Sequence, residues 1–258
     1  MKSLVTKLHD QIIFAVKNTV TSKKIGIAFS GGVDSSLLAK ICSDLGFDIT
    51  LLTIGFEGSH DLEFSKKIAA LLKLKHLIHT ISEKSFSDIA KKVRQEIETD
   101  NLSWNENCIA FHYVSELAKK HDIAIVLTSN GIDELFCGYN AYRDVVENGE
   151  KAVMDLMESK LENEIKMMKA VNKISSKFGV KITQPILSED FVAFAKPLPI
   201  KEKIKDKDDL ERKHIIRQLA LSIGVPSDSA LKRKKALQYG SLIHKNLIKV
   251  RKTWNKTF

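Results

Sequence analysis

Apolar residues recur at helical spacing near the start of the chain, with Leu4, Leu8, Ile12 and Ala15 forming one stripe between residues 3 and 18. The rhythm then changes to short apolar runs. Ile25-Gly26-Ile27-Ala28 and residues 49–54, 76–81 and 123–128 each read as a strand. Between them, Leu37 to Ile41, the stretch through Ile68, Leu71 and Leu72, and two further stretches before residue 123 carry helical patterns. Strands alternating with helices imply parallel crossovers, so the pattern predicts an α/β fold with a doubly wound, mostly parallel sheet. Ligands of such sheets sit beyond the carboxyl ends of the strands, where the strand order reverses. The turn at Ser30, the loop at Gly55 and the segment after Thr128 all fall at those ends.

From about residue 144 the character changes. Residues 152–177 predict one long helix carrying Met154, Leu156, Met157, Leu161, Ile165 and Met168, with the methionines read as core filler. Pro185, Pro197 and Pro199 interrupt the pattern, and residues 201–213 are strongly charged. The expected organisation is an N-terminal helix over 1–22, an α/β core over 23–143, and a helical C-terminal region over 144–258 packed on that core. There are no repeats or low-complexity linkers to suggest two independent domains.

Composition narrows the function classes. Hydrophobic residues make up 43% and charged residues 28% of the 258, as in ordinary globular proteins. No apolar run approaches the roughly 18 residues needed to span a bilayer, so no membrane partner is expected. The mixed N-terminus Met1 to Leu8 lacks a secretory core, and a cytoplasmic location is the expectation. The formal charge of +9 suits an anionic nucleotide or a lysine-rich surface. Nucleic acid stays open but disfavoured, because Lys66-Lys67 and Lys91-Lys92 fall at solvent positions of helices. Cys42, Cys108 and Cys137 form no Cys-x-x-Cys pair and read as reduced thiols, with neither zinc nor a disulfide framework indicated.

The chemistry concentrates in two segments. Phe29-Ser30-Gly31-Gly32-Val33-Asp34-Ser35-Ser36 joins a strand to a helix start through a Gly-Gly turn. Such a turn lets several N–H groups and the positive helix end approach an anion. Asp34 would repel a bare phosphate, which makes sense if it holds a cation such as magnesium accompanying a polyphosphate. The turn lacks the Gly-Lys-Ser/Thr of a Walker A loop. The second segment, Ser129-Asn130-Gly131-Ile132-Asp133-Glu134-Leu135-Phe136-Cys137-Gly138-Tyr139-Asn140-Ala141-Tyr142-Arg143, sets two carboxylates after a Gly turn at another strand end. Asp34 and Asp133 could share magnesium. Capped-turn chemistry at Asp34 and dipole preference at Asp133 are the plainer alternatives.

The Ser-Gly-Gly-x-Asp-Ser pattern resembles the pyrophosphate loop of the ATP pyrophosphatases. With the second segment, it makes the chain similar to the synthetase domain of asparagine synthetases. Residues 54–62, the run Arg212 to Arg217, and Arg233-Lys234-Lys235-Ala236-Leu237-Gln238-Tyr239-Gly240 extend the likeness from about residue 23 to 241. The resemblance implies an adenine nucleotide alpha-hydrolase-like fold, ATP and magnesium as cofactors, and cleavage of ATP between its first and second phosphates. It assigns pyrophosphate to Ser30, Gly31, Gly32, Ser35 and Ser36, and magnesium to Asp34 and Asp133. It assigns the nucleotide pocket to Ala28, Ile54, Thr128, Ser129 and Gly131, and leaving-group charge to Lys235. Asp61, Asn130, Glu134 and Arg143 are weaker candidates for positioning substrate. A carboxylate, aspartate first, would be adenylated and then attacked by ammonia or another amine.

Two departures from that family shape the expectation. Lys2 stands where a glutaminase domain would begin with cysteine, so the nitrogen is expected from free ammonia, another amine or a separate glutaminase subunit. Asn130 stands where the family often has an acidic residue, and an amide cannot accept a proton as a general base. A tRNA-modifying enzyme of the same loop class and a nucleotide-binding subunit without catalysis are the rival readings. A second copy of the chain as partner stays open.

Overall fold

The computed structural model describes residues 2–232 and 237–254. Helix α1 (Leu4–Thr19) opens on Ser3, whose hydroxyl accepts from the Thr6 amide, and it buries Leu8, Ile12, Ala15 and Val16. Strand β1 (Lys24–Ala28), helix α2 (Val33–Asp44), β2 (Asp48–Gly55), α3 (His60–Leu72) and β3 (Lys75–Thr80) then alternate. Helices α4 (Glu83–Ile97) and α5 (Leu102–Lys119) lead to β4 (Ile125–Leu127), α6 (Ile132–Leu135) and α7 (Ala141–Val145). The long α8 (Glu150–Ser175) precedes β5 (Lys181–Thr183) and α9 (Glu189–Ala195). Helices α10 (His214–Ser222), α11 (Ser227–Ala230), α12 (Leu237–Gly240) and α13 (Ile243–Trp254) complete the described chain.

The five strands form one parallel sheet in the order β3-β2-β1-β4-β5. Successive side chains of a strand point to opposite faces, and the core divides accordingly. Ile25, Ile27, Ile49, Leu51 and Leu127 pack with residues of α1, α2 and α10. Leu52, Ile54, Val126 and Ile182 pack with residues of α4, α5, α8 and α13. The α/β class and its doubly wound parallel sheet are as expected. The chain order runs outward from β1 to β3 and then resumes at β4 on the other side of β1, which makes the β1–β4 junction the switch point.

The C-terminal region, expected to be helical, also supplies β5. Its three residues are too few to show a periodic pattern. The stripe on α8 differs as well: the buried positions are Val153, Met157, Leu161, Glu164, Met167, Met168, Val171, Ile174 and Ser175, while Ile165 is exposed. A glutamate thus holds a core-facing place. Cys42, Cys108 and Cys137 are buried free thiols, and burial pushes each up to about 12. Among the described residues, no helix is long and apolar enough to cross a membrane.

Candidate active site

The turn after β1 is built around Gly31, whose φ of +77° lies in the left-handed region that favours glycine. Gly32 then caps α2, and its amide donates to the Ser30 hydroxyl at 3.3 Å. Ser35 donates to the Gly32 carbonyl at 3.2 Å. Ser36 has a different place from Ser30 and Ser35. It is completely buried behind the turn, where its hydroxyl donates to the Gly31 carbonyl at 3.2 Å and accepts from Ser229 at 2.9 Å. Ser229 also donates to the Gly31 carbonyl at 2.7 Å. Ser36 therefore braces the turn and does not line the cavity in front of it.

That cavity, ≈ 260 Å³, opens at the carboxyl ends of β1, β2 and β4. Ala28, Ser30, Gly32, Asp34 and Ser35 line it from the β1 side. Ile54 and Asp61 contribute from β2 and α3, and Thr128, Ser129, Asn130, Asp133 and Glu134 from the segment after β4. Gly31 and Gly131 shape the two turns without lining it, and Gly131 itself has φ +105°. Arg143 also lies away from the cavity and donates to the Lys207 carbonyl at 2.5 Å. Asp61 is buried against Gly240. Lys235 lies outside the described residues; Lys232 and Gln238, on either side of it, both line the cavity. Leu52, Phe111, Val114 and Met167 give the cavity an apolar wall.

Asp34 and Asp133 meet at a residue the sequence did not single out. The Lys213 ammonium, 1% exposed, lies 2.6 Å from Asp34 Oδ2 and 2.5 Å from Asp133 Oδ1. Burial pulls this ammonium below the ordinary lysine range, and the Asp34 carboxylate pulls it back. Gly138 makes the approach possible: a Cβ there would overlap Asp133 Oδ1 and stand 2.5 Å from Lys213 Cε. Lys213 and Arg212 both take left-handed backbone conformations, with φ of 53° and 48°. Two such non-glycine residues in succession hold strain of order 1–3 kcal/mol each. The clamp on them is Arg217, whose guanidinium donates to the carbonyls of Glu211, Arg212, Ala230 and Lys232.

A divalent cation fits this geometry. Two carboxylates already converge on one positive charge, and Asp34 Oδ1 is buried with no hydrogen-bond donor. Magnesium commonly takes one or two carboxylates and draws its remaining ligands from phosphates and water. Among the described residues, no group of three or more His, Cys, Asp or Glu side chains gathers to hold a metal alone.

The far side of the cavity is acidic. Glu134 accepts from the Gly131 amide at 3.0 Å and from the Tyr139 hydroxyl, and so caps its own short helix. Asn130 donates from Nδ2 to Glu164 Oε1 at 2.6 Å, and its Oδ1 accepts from the Thr128 hydroxyl. Burial raises both glutamates above the ordinary carboxylate range, and for Glu134 the Glu164 charge adds to the effect. The interruption of an apolar helical stripe by Glu164 was the one sequence signal pointing to it.

Comparison with known proteins finds sequence relatives of this chain. The asparagine synthase family model matches residues 7–171. A protein of Methanocaldococcus jannaschii named as asparagine synthetase 1 (glutamine-hydrolysing) is 30% identical over 276 residues, covering 93% of this chain and 51% of that protein. Asparagine synthetase 1 (glutamine-hydrolysing) of Arabidopsis thaliana is 27% identical over 214 residues, covering 79% and 36%. The chain therefore spans about half or less of these relatives. Among solved structures, the NMN synthetase of Francisella tularensis aligns with a TM-score of 0.49 at 15% identity, covering 91% of this chain and 75% of that one. The NH3-dependent NAD synthetase of Campylobacter jejuni aligns with a TM-score of 0.46 at 19% identity, covering 98% and 83%.

Proposed function

The chain belongs to the asparagine synthase family, and on that premise we propose that it is an ATP-dependent ligase that converts a carboxylate to an amide through an acyl-adenylate. The observation that carries this reading is the meeting of Asp34 and Asp133, from separate strand ends, at one cationic point beside the Ser30–Ser35 turn. A carboxylate resists attack by an amine because its leaving group would be an oxide. Adenylation replaces that group with AMP.

In this reading the apolar wall of Leu52, Ile54 and Phe111 takes the adenine beside Ala28. Ser30, Gly32 and Ser35, with the amide end of α2, hold the outer two phosphates. The acid's oxygen attacks the first phosphate, the bond to the second breaks, and pyrophosphate leaves with the electron pair. Charge developing on pyrophosphate is stabilised by Lys213, a fixed cation whose position is set before the reaction. Asp34 and Asp133 would hold magnesium, which when bound supplies charge neutralisation on the phosphate oxygens. Lys235, by its likeness to the family's lysine, would add a further positive charge near the leaving group.

Aspartate is the first acid to test, as in the relatives' names, and ammonium the first amine. A separate glutaminase is the alternative nitrogen source. The test is a screen for AMP and pyrophosphate release from magnesium ATP over amino acids, with ammonium or glutamine present. Release with aspartate and ammonium is the expected result. Production of ADP and phosphate, or no ATP cleavage under any condition, would refute the reading.

A further inference from the structure

Glu164 sits on α8 between Leu161 and Met167, in a stripe of otherwise apolar residues, and is 5% exposed. It lines the same cavity as the Ser30–Ser35 turn. Its Oε1 accepts from Asn130, whereas Oε2 accepts from no described residue. Asn130 is itself oriented: its Oδ1 accepts a hydrogen bond from the Thr128 hydroxyl, so its amino group faces Glu164. Glu134, the other carboxylate on this side, has both oxygens engaged, by the Gly131 amide and by Tyr139. The Lys160 ammonium, one turn before Glu164 on α8, lies 5.6 Å above the Tyr139 ring. The acidic side of the cavity thus presents one carboxylate oxygen with no donor among the described residues, on a side chain that is itself mostly buried and lines the cavity, so a ligand there can supply the donor.

We propose that Glu164, steered by Asn130 and Thr128, receives the incoming ammonium or primary amine and takes its proton before it attacks the activated acid. This rests on the ligase reading above. An ammonium ion has no free electron pair. Transfer of one proton to Glu164 Oε2 exposes that pair, which attacks the acyl carbon. The carbon–nitrogen bond forms, and the carbon–oxygen bond to AMP breaks with its electrons leaving on the phosphate. The second proton shed by nitrogen as the amide forms passes to water. Glu164 in this way supplies what Asn130, as an amide, cannot. Burial raises its carboxyl above the ordinary range, which makes it a stronger base near neutral pH.

The test separates the two half-reactions in wild type and Glu164→Gln. Gln keeps the shape and can still accept from Asn130. With aspartate, ATP–pyrophosphate exchange is expected to stay within about twofold of wild type, while amide formation with ammonium falls by about 10²- to 10⁴-fold. Hydroxylamine is mostly unprotonated at neutral pH and needs no proton acceptor before attack, so its hydroxamate is expected to form at near wild-type rate in the variant. Ammonium-dependent amide formation at wild-type rate in Glu164→Gln would overturn the proposal. Equal losses with ammonium and hydroxylamine would also overturn it, by reducing Glu164 to a structural part. Asn130→Ala provides a second variant: roughly tenfold loss with ammonium and none with hydroxylamine supports the steering, and no loss overturns it. Absence of exchange in the wild type would strike the ligase reading itself and is distinguishable from any effect confined to the variants.

Discussion

Replacing Lys213 by Met removes the ammonium that contacts both Asp34 and Asp133 and leaves a side chain of similar length. Because Asp34 Oδ2 and Asp133 Oδ1 both touch the same nitrogen, at 2.6 and 2.5 Å, the two oxygens stand no more than about 5 Å apart. At an effective dielectric of ~20, two unit charges at that distance repel by about 3 kcal/mol. Breaking a buried ion pair from one side costs about 3–5 kcal/mol by general experience, so the two approaches agree. Urea unfolding of Lys213→Met without divalent cation is therefore expected to show a loss of about 3 kcal/mol. Magnesium should restore part of it, since a cation that binds only the folded form stabilises it by mass action. A loss below about 1 kcal/mol, or a loss that magnesium leaves unchanged, would refute the view that these carboxylates depend on a shared positive charge.

Three further outcomes are expected. Gly138→Ala pushes a methyl group into Asp133 and Lys213, and should cost about 1–3 kcal/mol in unfolding free energy while abolishing AMP formation. Ser229→Ala removes one of the two hydroxyl donors to the Gly31 carbonyl, and the donor to the Ser36 hydroxyl, while the Ser36–Gly31 bond remains; a loss of about 0.5–1.5 kcal/mol by urea unfolding, with a raised KM for ATP, is the expected signature. Glu164 binds its proton more tightly folded than unfolded, so the stability it contributes is complete below its unfolded pKa and is lost as pH rises through its folded one. Unfolding measured across pH 4–8 should accordingly fall less steeply with rising pH in Glu164→Gln than in wild type.

The strands at the centre of the sheet were legible because runs rich in apolar and β-branched residues, such as residues 49–54, are buried on both faces. The two glycine turns were legible because backbone geometry restricts them to few residue types. Other parts of the site depend on contacts between residues far apart in the chain. Lys213 reaches Asp34 across 179 residues, and Ser229 reaches Gly31 across 198, so no local spacing announces either role. Ser36 was read as a phosphate ligand since a motif gives residue order and not the side of the turn a hydroxyl occupies. Glu164 was passed over in a helix read for its methionines, although a charged residue within an apolar stripe was visible in the sequence.

The shared cation site at Asp34 and Asp133 is most directly tested by titrating manganese ATP into wild type and into Asp34→Asn and Asp133→Asn, following bound manganese by paramagnetic resonance. One manganese should bind with ATP to the wild type, and each variant should weaken it at least tenfold while leaving the affinity for metal-free ATP undiminished. Manganese ATP bound as tightly by either variant as by the wild type would contradict the account.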